Sequence, residues 1–261
     1  MAPNEQDPSG SLNAGFFISS QRIESFSSSS VRSSSGMDSR FSSSDPAKPC
    51  KTETEDNCEY GELLDNRDGQ IYKTVKIGNQ VWMAENLNYE TTASYCYNDE
   101  TENCTKYGRL YTWAAAMDSA GTWSTNGKVC GYRRSCSPTY PVRGVCPEGW
   151  HLPSKDEWNA MFTVVGDTSI AGKILKSKVG WNKEGNGTDA FGFSALPAGM
   201  RDNGGDFNFA GDGTGIWSST GYSSEYAYFM DFDYIRGRDG AHLLTDGKSR
   251  AFSVRCLKDS D

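Results

Sequence analysis

Two cysteine-bearing segments constrain the fold of this chain more than any other feature. Residues 144–158 lead from Cys146 through a turn into a capped helix, and residues 251–256 have the pattern of a final β-strand that ends at Cys256. A disulfide between these two cysteines would close a loop of about 110 residues, and chain entropy would then favour the folded state by roughly 4–5 kcal/mol. The segments therefore indicate a cross-linked extracellular binding scaffold rather than a cytosolic enzyme.

The eight cysteines fit a disulfide framework better than a metal site. Eight cysteines allow on the order of a hundred pairings, so the connectivity stays open. Zinc binding is the weaker alternative, because no C-x-x-C pair occurs and only His151 and His242 could assist. Proximity along the chain favours three local pairs and leaves the last two cysteines for each other: Cys50 with Cys58, Cys96 with Cys104, Cys130 with Cys136, and Cys146 with Cys256.

The composition divides the chain into a linker and one domain. Serine makes up more than a third of the first 45 residues, which contain few apolar side chains. Burial in such a segment cannot offset the entropy of ordering it. From about residue 67 onward the chain is dense in Trp, Tyr, Phe and Gly and is long enough to form a core. We predict a disordered Ser-rich linker over residues 1–60, with a local exception at the Cys50–Cys58 loop, and one domain over residues 61–261.

The charge and hydropathy of the chain exclude two kinds of interaction. A formal net charge of −8 at pH 7 argues against nucleic acid, because binding to a phosphate backbone requires clustered Lys and Arg. No window approaches the roughly 20 apolar residues of a membrane-spanning helix. The apolar run at residues 15–18 is too short for a signal peptide, so either a signal has been removed or the protein is not exported. We expect an extracellular or cell-surface location.

The first half of the domain is predicted to contain a hairpin and a helix. Residues 71–77 and 80–83 alternate around Gly78-Asn79, which predicts a β-hairpin that opens the fold. Residues 107–118 have apolar side chains at helical spacing and predict the first helix, which Gly121 would end.

The second half is predicted to contain a helix, a long irregular region and strands. Ser154 and Glu157 form a capping box that begins the second helix, and Gly166 ends it. Residues 180–215 are too long and too polar for an ordinary connection. The middle one of three predicted strands is apolar on both faces and is expected to be central. These strands cover residues 216–219, 226–232 and 252–258.

The chain resembles the Fibrobacter succinogenes major paralogous domain family. The resemblance rests on seven segments in the same order, which are residues 67–78, 82–89, 107–117, 149–154, 192–199, 217–220 and 253–256. More distantly, the Gly-Trp-His-Leu-Pro-Ser segment at residues 149–154, with Glu157 and Trp158, is similar to a segment of formylglycine-generating enzymes, which have a C-type lectin-like fold.

The resemblance implies an α+β fold of the C-type lectin-like class. Such a domain has two helices beside small twisted antiparallel sheets, and a long irregular loop region forms its exposed face. The turn before the second helix and the last strand are neighbours in this arrangement, which supports a Cys146–Cys256 disulfide. Similarity of fold alone implies no activity.

An oxidase like the formylglycine-generating enzymes is the sharpest enzymatic alternative. Those enzymes use two nearby cysteines with copper, whereas the late half of this domain contains only Cys256. No carboxylate pair stands out in an apolar setting that would raise a pKa. We predict no catalytic residue and no bound copper or zinc. Convergence of His151, Arg255 and a carboxylate in one pocket would favour an enzyme with an unrecognised site.

Calcium is the one cofactor that the sequence leaves open. The Glu-Pro-Asn or Gln-Pro-Asp loop and the Trp-Asn-Asp strand of true C-type lectins are missing, so their sugar site is not expected. A glycine-containing loop such as residues 201–213 could still wrap around Ca²⁺ and supply oxygen ligands. Asp-Gly and Asn-Gly pairs are first of all turn formers, so turns are the alternative. The candidate ligands are Asp202, Asp206, Asn208 and Asp212.

Aromatic side chains in loops are the candidates for a ligand-binding face. Their rings can stack on sugars or contact a protein, although in a small glycine-rich domain such rings more often fill the core. The predicted ligand-binding residues are Trp181, Phe207, Phe209, Tyr222, Tyr234 and Arg236. Five other tryptophans are assigned to the core, namely Trp82, Trp113, Trp150, Trp158 and Trp217.

These observations favour a non-catalytic module for binding or adhesion in a secreted or cell-surface protein. Its partner would be a plant polysaccharide or a surface protein. The ligand would bind to a loop face formed by residues 181–209 and 222–238, because the regular elements are needed for the core.

Overall fold

The computed structural model of the protein describes residues 46–233 and 240–260, which form a mixed α+β domain dominated by sheets. The predicted linker residues 1–45 lie outside the described residues. The strands are β1 (Tyr60–Leu64), β2 (Ile71–Ile77), β3 (Gln80–Met83), β4 (Ser94–Tyr95), β5 (Leu110–Thr112), β6 (Trp150–His151), β7 (Ala198–Arg201), β8 (Phe207–Ala210), β9 (Gly213–Gly221), β10 (Tyr226–Asp233), β11 (Ala241–Gly247), β12 (Ala251–Phe252) and β13 (Leu257–Lys258).

The helices are short and lie in two groups along the chain. They are α1 (Thr101–Tyr107), α2 (Trp113–Ala116), α3 (Lys155–Val165) and α4 (Thr168–Leu175), with a 3-10 turn at Tyr97–Asp99. Within the residues that the structure describes, no helix is both long and apolar enough to cross a membrane.

A five-stranded sheet brings the beginning and the end of the domain together. Its order is β1-β2-β3-β13-β6, and every pair is antiparallel. The predicted hairpin is confirmed as β2 and β3, but β1 precedes it and pairs with β2, so the hairpin does not open the fold. Leu257 pairs with both Trp82 and His151, which places the last strand between the hairpin and the segment that leads into α3.

An eight-stranded sheet forms the second layer. Its order is β11-β10-β9-β7-β12-β5-β4, with β8 paired to β7. The family resemblance implies small antiparallel sheets, whereas this sheet has eight strands and β7 runs parallel to β9, with Gly199 opposite Thr214. The predicted strand at residues 226–232 is β10, and it is paired on both sides, by β9 and by β11. The sequence did not predict β11 or β7.

The predicted first helix over residues 107–118 is wrong in extent. Its first part is strand β5, because Tyr111 pairs with both Phe252 and Ser94. Helix α2 begins only after Thr112, whose side chain accepts a hydrogen bond from the backbone N–H of Ala115. Pairing with two neighbouring strands therefore overrides the helical spacing of the sequence.

The predicted second helix is confirmed. Ser154 caps α3, and the capping box with Glu157 is complete, since each side chain accepts a hydrogen bond from the backbone N–H of the other residue. Gly166 follows the last helical residue. Helix α4 was not predicted, and it begins after Asp167, whose side chain accepts a hydrogen bond from the backbone N–H of Ser169.

All four predicted disulfides are present, and all eight cysteines lie within the described residues. The Cα atoms of Cys146 and Cys256 are 5.9 Å apart, because β13 pairs with β6 immediately beside both cysteines. Four disulfides are typical of a protein that folds in an oxidising compartment such as the extracellular space.

Residues 46–60 contact the domain rather than belonging to a disordered linker. The backbone N–H of Ala47 donates to the carbonyl of Val164, and that of Cys50 donates to the carbonyl of Ala190. The ammonium of Lys51 lies 2.9 Å from the carboxylate of Asp189. The predicted boundary at residue 61 is therefore too late, because backbone hydrogen bonds and a buried carboxylate hold the preceding residues.

The tryptophans that the sequence assigned to the core are all buried, namely Trp82, Trp113, Trp150, Trp158 and Trp217. They divide between two clusters. Trp82 and Trp158, with ring centroids 4.6 Å apart, lie in the cluster formed with α3 and α4. Trp113 and Trp217 lie in the cluster on the side of α2 and β12. The open face of the eight-stranded sheet next to this second cluster contains the candidate site.

Candidate functional site

A cleft of about 250 Å³ opens on the eight-stranded sheet, where β7, β9, β10 and the end of β11 meet. Its floor is formed by glycines and by the rings of Phe229 and Phe252, and Phe209 lies at its edge. We call it the acidic cleft, after the charged side chains that line it, which are Asp212, Asp231, Asp233, Asp246 and Arg250.

The alternation of β10 and the glycines of β9 create this cleft. Asp231 pairs with Gly215, and Asp233 pairs with Gly213, so two carboxylates lie beside positions that have no side chain. A Cβ atom at residue 215 would lie 2.7 Å from the ring of Phe252. That position therefore requires glycine, and the space above the strand stays open.

Phe209 has an unusual backbone conformation and an exposed ring. Its φ is 69°, in the left-handed region that bulky residues rarely adopt, and its side chain is 52% exposed. Phe209 is therefore neither buried nor in a backbone conformation that phenylalanine favours, so neither property explains this residue here. Strained, exposed residues of this kind cluster at binding sites, where the surrounding structure holds them in place.

The charges of the acidic cleft have partners within the protein. The guanidinium of Arg250 lies 2.8 Å from the carboxylate of Asp246. Asn182 donates a hydrogen bond of 2.9 Å from its side-chain amide to the carboxylate of Asp212. Asp231 and Asp233 also have interaction partners. The cleft thus combines acidic side chains that have partners in the protein with an apolar lining that includes the exposed ring of Phe209.

Two of the predicted calcium ligands make hydrogen bonds within the protein, Asp202 in a turn and Asp212 with Asn182. The carboxylate of Asp202 accepts hydrogen bonds from the backbone N–H groups of Gly204 and Asp206, at 2.8 and 3.0 Å. These backbone donors lower the pKa of Asp202. Asp212 lies beyond β8 and contacts Asn182. In residues 46–233 and 240–260, no group of three His, Cys, Asp or Glu side chains converges as metal ligands.

The predicted ligand-binding aromatics do not form one face. Trp181 is only 5% exposed, and its indole N–H donates to the side chain of Ser177, so the expectation of an exposed ring is wrong. Phe207 is half-buried against Tyr97, with ring centroids 5.4 Å apart. Two rings are exposed, but Phe209 borders the acidic cleft while Tyr222 borders a separate hollow. The two remaining residues, Tyr234 and Arg236, lie outside the described residues.

His151 is held between two carboxylates in the fold rather than in the cleft. Its Nδ1 lies 2.6 Å from Asp259, and its Nε2 lies 2.9 Å from Glu157. Burial acts to lower the pKa of His151, but the two carboxylates outweigh burial and raise the pKa. Because Glu157 belongs to the capping box of α3, this histidine links the helix start to the end of the domain.

Arg255 is fully buried in a different place. Its guanidinium donates to the side chain of Asn86 at 2.7 Å, to the carbonyl of Phe193 and to the carbonyl of Ser194 at 2.8 Å. Burial lowers its pKa to about 9, so the group stays charged at neutral pH. His151 and Arg255 share no partner, and they do not converge in one pocket with a carboxylate.

Sequence reasoning missed the acidic residues of β10 and the charged turn after β11. The strand predicted at residues 226–232 is expected to be apolar on both faces, but Phe229, Asp231 and Asp233 follow a period of two and mark one face. This signal was available in the sequence. Asp246 and Arg250 had no comparable signal, because their strand was not predicted.

Comparison with known proteins assigns the family. The family model described as the Fibrobacter succinogenes major domain matches residues 75–258, which is more than half of the chain. Neither a curated protein nor a solved structure matches the chain. The match begins within β2 and ends at β13, so it leaves out β1 but covers the eight-stranded sheet, α3, α4 and the acidic cleft. The chain therefore belongs to the Fibrobacter succinogenes major domain family.

Proposed function

We propose that the domain is a non-catalytic carbohydrate-binding module of a secreted or cell-surface protein, and that sugar rings bind in the acidic cleft. The observation that carries this proposal is Phe209, an exposed ring on a left-handed backbone at the edge of a polar cleft. An aromatic ring provides a stacking surface for a sugar, and fixed carboxylate and guanidinium groups provide hydrogen bonds to its hydroxyls.

The shape of the site favours an extended ligand. The acidic cleft and a smaller hollow lined by Tyr226 share Asp246 and Arg250, so the polar surface continues past the cleft. Tyr226 is 46% exposed and adds a second ring to this surface. A polymer such as a plant polysaccharide could contact both rings, which supports a role in adhesion to an insoluble surface.

A C-type lectin-like arrangement is part of the same proposal. The Cys146–Cys256 disulfide and the pairing of β13 with β3 and β6 join the two ends of the domain. This closure leaves the irregular connections free to vary, which suits a binding scaffold.

The enzymatic alternative has less support. All eight cysteines are in disulfides, which disfavours chemistry of the formylglycine-generating type at a reduced cysteine pair. The separation of His151 from Arg255 also favours binding, because the groups that an acid–base site would need have structural partners instead.

A binding assay on immobilised polysaccharides tests the proposal. We expect the full chain to bind at least one of cellulose, xyloglucan, xylan or pectin, and Phe209→Ala to weaken that binding about tenfold, since a stacked ring contributes about 1.4 kcal/mol. Leu64→Ala is the matched control, because Leu64 is also 52% exposed but lies on β1, away from the cleft.

Two results would contradict the proposal. Binding of a purified protein partner by the same cleft, without binding of any polysaccharide, would replace the carbohydrate ligand by a protein. Unchanged polysaccharide binding by Phe209→Ala would place the carbohydrate site elsewhere on the surface.

A further inference from the structure

A second hollow, of about 290 Å³, lies between the turn after β9 and the turn after β11. We call it the basic hollow. The side chains that define it are Trp113, Arg134, Tyr140, Tyr222 and Lys248, with Gly221 beside them. Among the described residues that line the hollow there are two cations and no Asp or Glu, although the whole chain has a net charge of −8.

Lys248 is buried with little compensation for its charge. It is only 3% exposed, and its ammonium donates one hydrogen bond, of 2.7 Å, to the carbonyl of Ser223. The ammonium also lies 4.1 Å from the centroid of the Trp113 ring, a cation–π contact. A lysine ammonium has three N–H donors, so the carbonyl of Ser223 leaves further donors for a ligand.

The surroundings of Lys248 contain no counter-charge. Desolvation lowers its pKa, and no carboxylate in the described part of the chain opposes that effect. The nearby Glu225 is paired with Arg133 at 2.8 Å and thus neutralised by another cation. A buried charge without a partner is costly, so a group from outside the protein that supplied the negative charge would be bound favourably.

Gly221 keeps the space above this ammonium open. A Cβ atom at residue 221 would lie 3.5 Å from Lys248 Nζ and 3.6 Å from the Trp113 ring, which is ordinary contact distance. Alanine would therefore fit without a clash, and glycine at this position leaves room beside the charge.

Two exposed rings complete the hollow. Tyr140 is 51% exposed and Tyr222 is 64% exposed, and both line the space whose inner part contains Lys248. Lys248 is the recessed cation of the hollow, whereas Arg134 is exposed, so one negative charge on a ligand would meet the Lys248 ammonium while the flanking rings contact a ring surface. A sugar ring that carries one carboxylate has both properties.

We propose that the basic hollow binds the carboxylate of a uronic acid residue in an acidic polysaccharide, with Lys248 as the counter-charge and Tyr140 and Tyr222 against the sugar ring. This inference rests on the proposed carbohydrate-binding function and names the sugar class for a second subsite. A peptide with a C-terminal carboxylate is the competing ligand.

Calorimetric titration with trigalacturonate and with its neutral methyl ester tests the proposal. We expect the full chain to bind trigalacturonate at least tenfold more tightly than the ester. Lys248→Met, whose side chain is uncharged and one atom shorter, should lose most of this preference, because only the exposed Arg134 then remains as a cation in the hollow. Gly221→Ala keeps the charge but partly covers it, and should also lose the preference. Leu64→Ala should behave like the unchanged protein, and thermal melting of each variant reports whether it is folded.

The possible results separate the two proposals. Equal binding of both probes to the unchanged protein overturns the uronate proposal but leaves carbohydrate binding intact. Binding of neutral xyloglucan oligosaccharides without binding of trigalacturonate has the same meaning. Failure of every sugar, with binding of a peptide through its C-terminal carboxylate, overturns both proposals. An undiminished preference for trigalacturonate in Lys248→Met also overturns the assignment of Lys248.

Discussion

The acidic cleft and the basic hollow each contain a cation from the same turn, but only the cation of the cleft has a carboxylate partner in the protein. Residues 248–250 connect β11 to β12, and this turn contributes Arg250 to the cleft and Lys248 to the hollow. Arg250 is paired with Asp246 in the protein. Lys248 has a single carbonyl as its hydrogen-bond acceptor among the described residues. Arg250 and Lys248 are two positions apart on one turn. Arg250 is neutralised by a carboxylate of the protein, whereas Lys248 can accept a counter-charge from a ligand.

This difference indicates that paired charges fix the shape of a site, whereas an unpaired charge selects the ligand. Paired charges hold side chains in fixed positions and contribute little net attraction for a charged ligand. A recessed cation without a carboxylate partner attracts an anion strongly, because little water screens the interaction. Under the two proposals, the cleft selects by shape and hydrogen bonding, and the hollow selects by charge.

The largest effect is expected from opening the Cys146–Cys256 disulfide, because both sites depend on it. Replacement of Cys146 and Cys256 by serine opens a disulfide with a sequence separation of 110. The lost chain entropy corresponds to about 5 kcal/mol of unfolding free energy. Because β12 and the turn before it lie close to Cys256 in sequence, we expect both sites to fail together. Urea unfolding and binding to the two polysaccharide classes measure this.

A local disulfide provides the matched control. Cys136 lines the basic hollow, and the Cys130–Cys136 pair has a sequence separation of only 6. Its replacement by serine should cost about 2 kcal/mol. We expect weakened binding in the hollow and unchanged binding in the acidic cleft. Loss of both sites in this control would show that they are not independent.

The next effect compares two buried cations. Arg255→Met leaves the side chain of Asn86 and the carbonyls of Phe193 and Ser194 without their donor, and it should cost about 3 kcal/mol or more. Lys248→Met removes a desolvated charge with one acceptor, and stability should change by no more than about 1 kcal/mol in either direction. Equal destabilisation in urea would make Lys248 a structural cation and would remove the contrast.

A smaller effect is expected at the edge of the acidic cleft. Phe209→Gly relieves a left-handed backbone, which should stabilise the fold by about 1 kcal/mol, while removal of the ring weakens sugar binding. Phe207→Gly is the control on the same strand, because Phe207 is half-buried and not in that backbone region, so its loss should destabilise the fold. A lower melting temperature for Phe209→Gly would mean that the ring is needed for folding.

The smallest effect is the pH dependence of the basic hollow. The folded-state pKa of Lys248 is lowered by burial, below its ordinary value of 10.5. Between these two pKa values the unfolded state binds more protons, so the stability of the unchanged protein rises with pH relative to Lys248→Met. The stability of Lys248→Met relative to the unchanged protein should thus be highest at neutral pH and fall towards pH 10.5. A constant difference between pH 7 and pH 10 would contradict this expectation.

Local signals in the sequence account for much of the fold. The β2–β3 hairpin and the Ser154–Glu157 capping box depend on neighbouring residues, and both are present as predicted. The helix over residues 107–118 was predicted from spacing alone, and it failed where β5 pairs with strands that are distant in sequence. The spacing of apolar residues indicates the preference of one segment for a helix. Strand pairing depends instead on which segments are neighbours in space.

The candidate sites show the same limit more strongly. Of the aromatics proposed from the sequence, Phe209 borders the acidic cleft, Tyr222 borders the basic hollow and Trp181 is buried. Loop composition predicted aromatic residues but not their exposure. No feature of the sequence pointed to Lys248, because a lysine in a turn is usually exposed. Only the folded structure places Trp113 and Ser223 around its ammonium.

The sequence by itself determined the hairpin and the capped helix, because each depends on local chemistry, and proximity along the chain favoured the disulfide pairing that the structure shows. Only the tertiary structure decided where charge is paired and where it is not. The order β11-β10-β9-β7-β12-β5 brings Asp212 near Asp246 and Trp113 near Lys248, across more than thirty and more than a hundred residues. The physical reason is that burial and pairing of a charge depend on all of its neighbours in space, and strand order selects those neighbours.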